Sequence, residues 1–313
     1  MLFRFFISCM PLFWLLSCSF QNTDPDKAEI HTSDLGHFWE AFDKSKPDFK
    51  ATHFDELYLA KGSKGISGFK KGRIKNGENL ASIVREYKNY YGSIRGSMDS
   101  ILNMEDEIRV CFRNLKEIYP DAVFPPVYFV IGALNSGGTT SGDGIVIGSE
   151  MYGLSDKADL SEVYKNNWLQ SVLKPVRDIP HMVAHELIHV QQFTTLLALI
   201  KSPTLLEKSV KEGSADFLAE LISGKHINQY VHEYANNKEK ELWNEFKQKM
   251  NGKDYSNWLY SSGVNRPNDL GYWMGYKITK SYYDQSADKN GAIKEIVNVS
   301  DCIDFLEKSG YGK

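Results

Sequence analysis

Residues 185–189 read His-Glu-Leu-Ile-His, and this pentapeptide constrains the chain more than any other stretch. Histidines four apart share a face on an α-helix, where four residues make slightly more than one turn. Both imidazoles can then reach one zinc ion through bonds of about 2.0–2.1 Å. Glu186 stands one step round from His185, within reach of a water activated by that metal. Val183, Leu187, Ile188 and Val190 supply the apolar side that buries such a helix, and Pro180 suits its first turn.

A catalytic zinc commonly has three protein ligands and keeps one position open. No third histidine follows His189 at a close spacing, but Glu212-Gly213-Ser214-Ala215-Asp216 lies on the next helical segment. Glu212 and Asp216 share a helix face. The segment resembles the third-ligand helix of gluzincins, the thermolysin-like and aminopeptidase-like metallopeptidases, and that resemblance implies Glu212 as the third ligand and Asp216 as the partner that fixes the tautomer of a ligating histidine. A solvated acidic face is the plainer reading of such a pair, and the neighbouring H-E-x-x-H turns the balance towards the metal. Gly213 costs about 1 kcal/mol relative to alanine inside a helix, which implies close approach of a neighbour, expected to be the H-E-x-x-H helix. His181, one turn before His185, is expected to line the cleft or cap the first turn rather than to ligate. Tyr272 and Tyr276, in the stretch LGYWMGY, share a face; since gluzincins commonly place a Tyr or His over the zinc, the resemblance makes them candidates to hydrogen-bond an oxyanion, with core packing as the competing reading.

HMVAHELIHVQQ, EGSADFLAELISG and LGYWMGYKI together resemble a bacterial family of predicted zinc-dependent proteases, defined by a domain of unknown function, over roughly residues 110–310. The N-terminal portion is similar to Bacteroidetes gliding-motility lipoproteins. The resemblance implies a zincin-like fold, a Zn²⁺ cofactor and a peptide or protein substrate, with His185, His189 and Glu212 on the metal and Glu186 as general base.

The N-terminus carries a different signal. Residues 1–17 read as a signal peptide: Arg4, then an apolar run too short to span a bilayer, which needs about 20 residues. Leu15-Leu16-Ser17-Cys18 looks like a lipobox, with Cys18 as the lipidated residue and a membrane lipid anchor as the consequence. Ser19 after that cysteine resembles the pattern of outer-membrane lipoproteins, so the chain is expected at the cell envelope. Residues 18–34 are polar and read as the lipidated cysteine plus a flexible tether. Residues 35–313 contain no repeat or low-complexity linker and read as one domain.

Within it, helices are expected at 35–44, 79–91, 97–118, from Pro180, from Pro203 to Gly224 with Ser202 as N-cap, and at 227–250, 270–284, 292–298 and 301–308. Residues 61–77, rich in glycine and lysine, read as loop. Residues 127–134 and 144–147 read as strands joined by a long glycine-rich loop, 135–143. The expected class is α+β, mostly helical, with a small sheet or hairpin before the H-E-x-x-H helix. The hairpin near residues 144–148 is a candidate to hold an extended substrate by strand addition.

The chain is 42% hydrophobic with 37 basic and 40 acidic residues intermixed, so it can bury a core and lacks the clustered basic surface of a nucleic-acid binder. Cys111 and Cys302 are the cysteines outside the leader, and two buried thiols are preferred to one bridge. The reading that results is a zinc-dependent peptidase at the cell envelope. Its rivals are a non-catalytic zincin-fold lipoprotein that binds a partner, and a zinc amidase acting on cell-wall linkages.

Overall fold

The computed structural model describes residues 20–192, 202–260 and 266–313. The segment expected to be a signal peptide, and Cys18, lie outside the described residues. Four short strands form one sheet in the order β1-β2-β4-β3: β1 (Ile30–His31), β2 (Val127–Val130), β3 (Gly138–Ser141) and β4 (Gly144–Gly148). β1, β2 and β4 are parallel, and β3 folds back antiparallel on β4. Every residue of β2 and β4 is buried because helices cover both faces of the sheet.

Around the sheet stand α1 (Ser33–Ser45), α2 (Ala51–Phe54), α3 (Lys64–Phe69), α4 (Gly77–Glu86), α5 (Lys88–Asp99), α6 (Glu105–Ile118) and α7 (Asn167–Val172). The C-terminal part is helical: α8 (Ile179–Gln191), α9 (Leu205–Ser223), α10 (Gln229–Ala235), α11 (Glu239–Lys249), α12 (Leu270–Gln285), α13 (Lys289–Val297) and α14 (Cys302–Ser309). The class is therefore α+β and mostly helical, as the sequence implies. No helix among the described residues is long and apolar enough to cross a membrane.

Strand parity sets the two faces of the sheet. Gly138, Ile147 and Phe129 are in register and share one face; Thr139, Val146 and Tyr128 share the other. On the first face, a side chain at Gly138 would meet Glu186 of α8. On the second, Gly65 and Gly68 of α3 lie against Tyr128, Ser141 and Val146.

Several expectations need correction. Residues 20–34 are not a tether: Asn22 donates to the Phe124 carbonyl, Ala28 is buried, and Ile30 and His31 pair with Val127 and Tyr128. Polar composition hid a segment fixed by backbone pairing. The 135–143 loop contains β3, where β-branched Thr139 and Thr140 suit a pleated strand. β4 consequently has neighbours on both sides and offers no edge to a substrate; β3 has the terminal position. Residues 61–77 form α3 and a π turn at Lys70–Ile74, held by buried Phe69 and Ile74. α9 begins at Leu205 rather than 203, because Thr204 and Glu207 form a reciprocal capping box. The expected helix at 227–250 is interrupted at Asn236–Lys238. Cys111 and Cys302 are both free, the first buried and the second half-buried.

Candidate metal centre

α8 is anchored through Val183, Ala184, Leu187 and Ile188, all fully buried, and this fixes the opposite side of the helix. His185 and His189 project there together. The Nε2 atoms of His185 and His189 are 3.0 Å apart. Glu212 Oε2, from α9, is 3.0 Å from His189 Nε2 and 3.7 Å from His185 Nε2. Three atoms about 2.05 Å from a tetrahedral ion would be about 3.3 Å apart. The observed triangle brackets that value, so these residues fit a zinc ion. His181 stands outside the group.

The tautomers agree with that fit. Asp216 Oδ1 is 2.8 Å from His185 Nδ1, and Asp216 Oδ2 accepts from Asn228 Nδ2 at 2.8 Å. His189 Nδ1 lies 2.7 Å from Gln192 Oε1. The Gln192 amide nitrogen donates to the Lys211 carbonyl at 2.7 Å and to Ser214 Oγ at 3.0 Å. A carbonyl only accepts, so this contact fixes the amide orientation and leaves Oε1 to receive the His189 Nδ1 proton. A proton on His189 Nδ1 leaves its Nε2 free to ligate, and Asp216 stands where it can hold the His185 ring in the same way.

The electrostatics favour a cation in the same place. Burial opposes charge on His185, yet Asp216 and Glu212 outweigh it and raise the pKa. Burial likewise opposes ionisation of Glu212, but His189 and His185 hold its pKa well below the ordinary value. Glu186 is 7% exposed, and burial raises its pKa, partly offset by His189 and His185. It lies against β3, where a Cβ on Gly138 would come 2.8 Å from Glu186 Oε1. Glycine is thus what allows the Glu186 carboxylate and the edge strand to approach.

The two candidate tyrosines diverge. The Tyr272 ring stacks near that of His185, with centroids 6.2 Å apart and planes 18° apart. Burial, then the charge of Glu212, raises its pKa, so it remains a neutral donor. Tyr276 is not part of the centre: its hydroxyl donates to Glu220 Oε2 at 2.6 Å, and its ring packs on His226, His232 and Phe217. One further turn along α12 carries it past the metal ligands.

Gly213 also has a different neighbour from the one expected. A methyl there would overlap backbone atoms of Gly275 and Tyr276, so the close approach is to α12 rather than to α8. Sequence reasoning missed Gln192 and Asn228. Gln192 is three residues after His189, a spacing that places it one turn on and could have suggested the contact. Asn228 follows the C-cap of α9 and has no local signal.

Residues 165–301 match the family model described as "Predicted Zn-dependent protease (DUF2268)". The matched stretch contains His185, Glu186, His189, Glu212, Asp216 and Tyr272, so over this segment the chain is similar to that family. No curated protein and no solved structure matches the chain.

Proposed function

We propose that this chain is a zinc-dependent peptidase. The observation that carries the reading is the juxtaposition of two histidine Nε2 atoms and the Glu212 carboxylate, with Glu186 next to His185 in the chain and held against β3. A zinc ion held by His185, His189 and Glu212 would supply a Lewis acid to the scissile carbonyl and the attacking water. Glu186 takes a proton from that water and delivers it to the leaving amine nitrogen as the C–N bond breaks. Tyr272 donates a hydrogen bond to the carbonyl oxygen as negative charge develops there. The free edge of β3 pairs with the extended substrate backbone beside Glu186.

The test is cleavage of a diverse peptide mixture by the zinc-loaded chain, read by mass spectrometry. New termini that disappear in Glu186→Gln support the reading. Cleavage that survives this substitution contradicts the assigned base, and intact peptides throughout contradict the peptidase reading.

The site of action is the cell envelope, with the chain held through a lipid on Cys18. The support is the apolar leader that ends in Leu-Leu-Ser-Cys. Labelled fatty acid incorporated by the wild type but not by Cys18→Ala supports this, and equal labelling contradicts it.

A further inference from the structure

Between residues 61 and 77 the chain carries Lys61, Lys64, Lys70, Lys71, Arg73 and Lys75 and no acidic residue, in a protein whose net charge is −3. Folding lays this segment along β3. Gly68 packs against Ser141, at one end of the strand, and the Arg73 carbonyl accepts from Asn135 Nδ2 at 3.0 Å, in the loop that enters the other end. Lys61 pairs with Glu40 at 3.0 Å and Lys64 approaches Asp143 at 3.8 Å. Lys70, Lys71, Arg73 and Lys75 have no carboxylate partner among the described residues, whereas Arg85, Arg95, Arg109, Arg113 and Arg266 each have one.

Arg73 is the cation best placed to act. It is half-buried, and its backbone is fixed by Asn135 and by the fully buried Ile74 beside it. The side chains of a substrate strand added to β3 would alternate between the α8 face, with the metal ligands, and the α3 face, with the cations.

We infer that the α3 side of the β3 edge selects peptides bearing a carboxylate close to the scissile bond, with Arg73 as the residue that binds it. This rests on the peptidase reading and names its substrate class. The carboxylate is supplied by an acidic side chain or by the peptide C-terminus. Guanidinium suits either, since it offers paired donors in the plane of a carboxylate.

The experiment uses the zinc-loaded full chain and four matched peptide sets, with internal Glu or Gln and with a free or amidated C-terminus. Two readouts are taken: kcat/KM for cleavage, and binding to the zinc-loaded Glu186→Gln protein. The expected preference for one carboxylate source is about 10- to 100-fold in both. It should fall to near unity in Arg73→Gln and be partly restored in Arg73→Lys. Equal handling of charged and neutral peptides, or a preference that survives Arg73→Gln, overturns the inference. If no peptide is cut, the peptidase reading fails while the binding measurement still decides the role of Arg73. Arg73-dependent sedimentation with phosphatidylglycerol vesicles and no carboxylate preference would overturn it in favour of a lipid-facing surface.

Discussion

Gly213 and Gly275 face each other where α9 and α12 cross, and neither position has room for a methyl group. The obstructing atoms are backbone: Gly275 and Tyr276 for the first, Ser209 for the second. A side chain could rotate aside, but two helix backbones can only move apart. Because Glu212 precedes Gly213, that separation would also displace the proposed third ligand. Gly213→Ala is expected to destabilise the fold by about 3 kcal/mol, the upper end of ordinary overpacking costs, and to weaken zinc binding. Urea unfolding and a zinc titration check both parts, and an unchanged midpoint would show that the crossing yields.

Gln192 connects the two ligand helices. It receives the His189 Nδ1 proton and ties that ring to the Lys211 carbonyl, one residue before Glu212. Gln192→Ala should leave the fold intact and lower zinc affinity about 10- to 100-fold, the usual consequence of losing a partner that orients a ligand. Competition with a chromophoric chelator measures this. Wild-type affinity in the variant would mean that α8 alone orients the ring.

Tyr272 and Tyr276 should separate by function. Tyr272→Phe keeps the ring beside His185 and removes the donor, so kcat is expected to fall about 100-fold with zinc retained. Tyr276→Phe loses only the bond to Glu220 and should affect stability more than rate. The reverse pattern would reassign the oxyanion donor.

Glu150 supplies a pH dependence away from the metal. It accepts from Gly132 and Leu134 N–H at 2.7 and 3.1 Å and so holds the loop that leads into β3. Burial nevertheless raises its pKa from 4.5 to about 7. The folded state then binds the proton more tightly than the unfolded chain. The contribution is fully present below about pH 4.5 and is lost as pH rises through about 7. In chelator, from pH 5 to pH 8, the wild type should lose more stability than Glu150→Gln, which cannot ionise. Parallel pH profiles for the two proteins would contradict the raised pKa.

The pairing of His185 with His189 and of Glu212 with Asp216 on shared helix faces was legible in sequence, because helical periodicity alone produces it. Which helices pack together was not. Gly213 signalled a close approach but not its partner, and Tyr276 shared the helix face of Tyr272 yet turned to Glu220. Short strands were the weakest signal: Ile30–His31 is two residues long, and Gly138–Ser141 has the composition of a turn. Both exist because a neighbouring strand completes their hydrogen bonds. Gln192 and Asn228 act through contacts that only the folded chain creates.

The most direct test of the central claim is the zinc content of the folded full chain after reconstitution and removal of loose metal. The account expects one zinc per chain in the wild type and in Glu186→Gln, and loss or marked weakening in His189→Ala and Glu212→Ala. A folded wild type that takes up no zinc, or ligand variants that keep it, would contradict the metal centre and the peptidase proposal built on it.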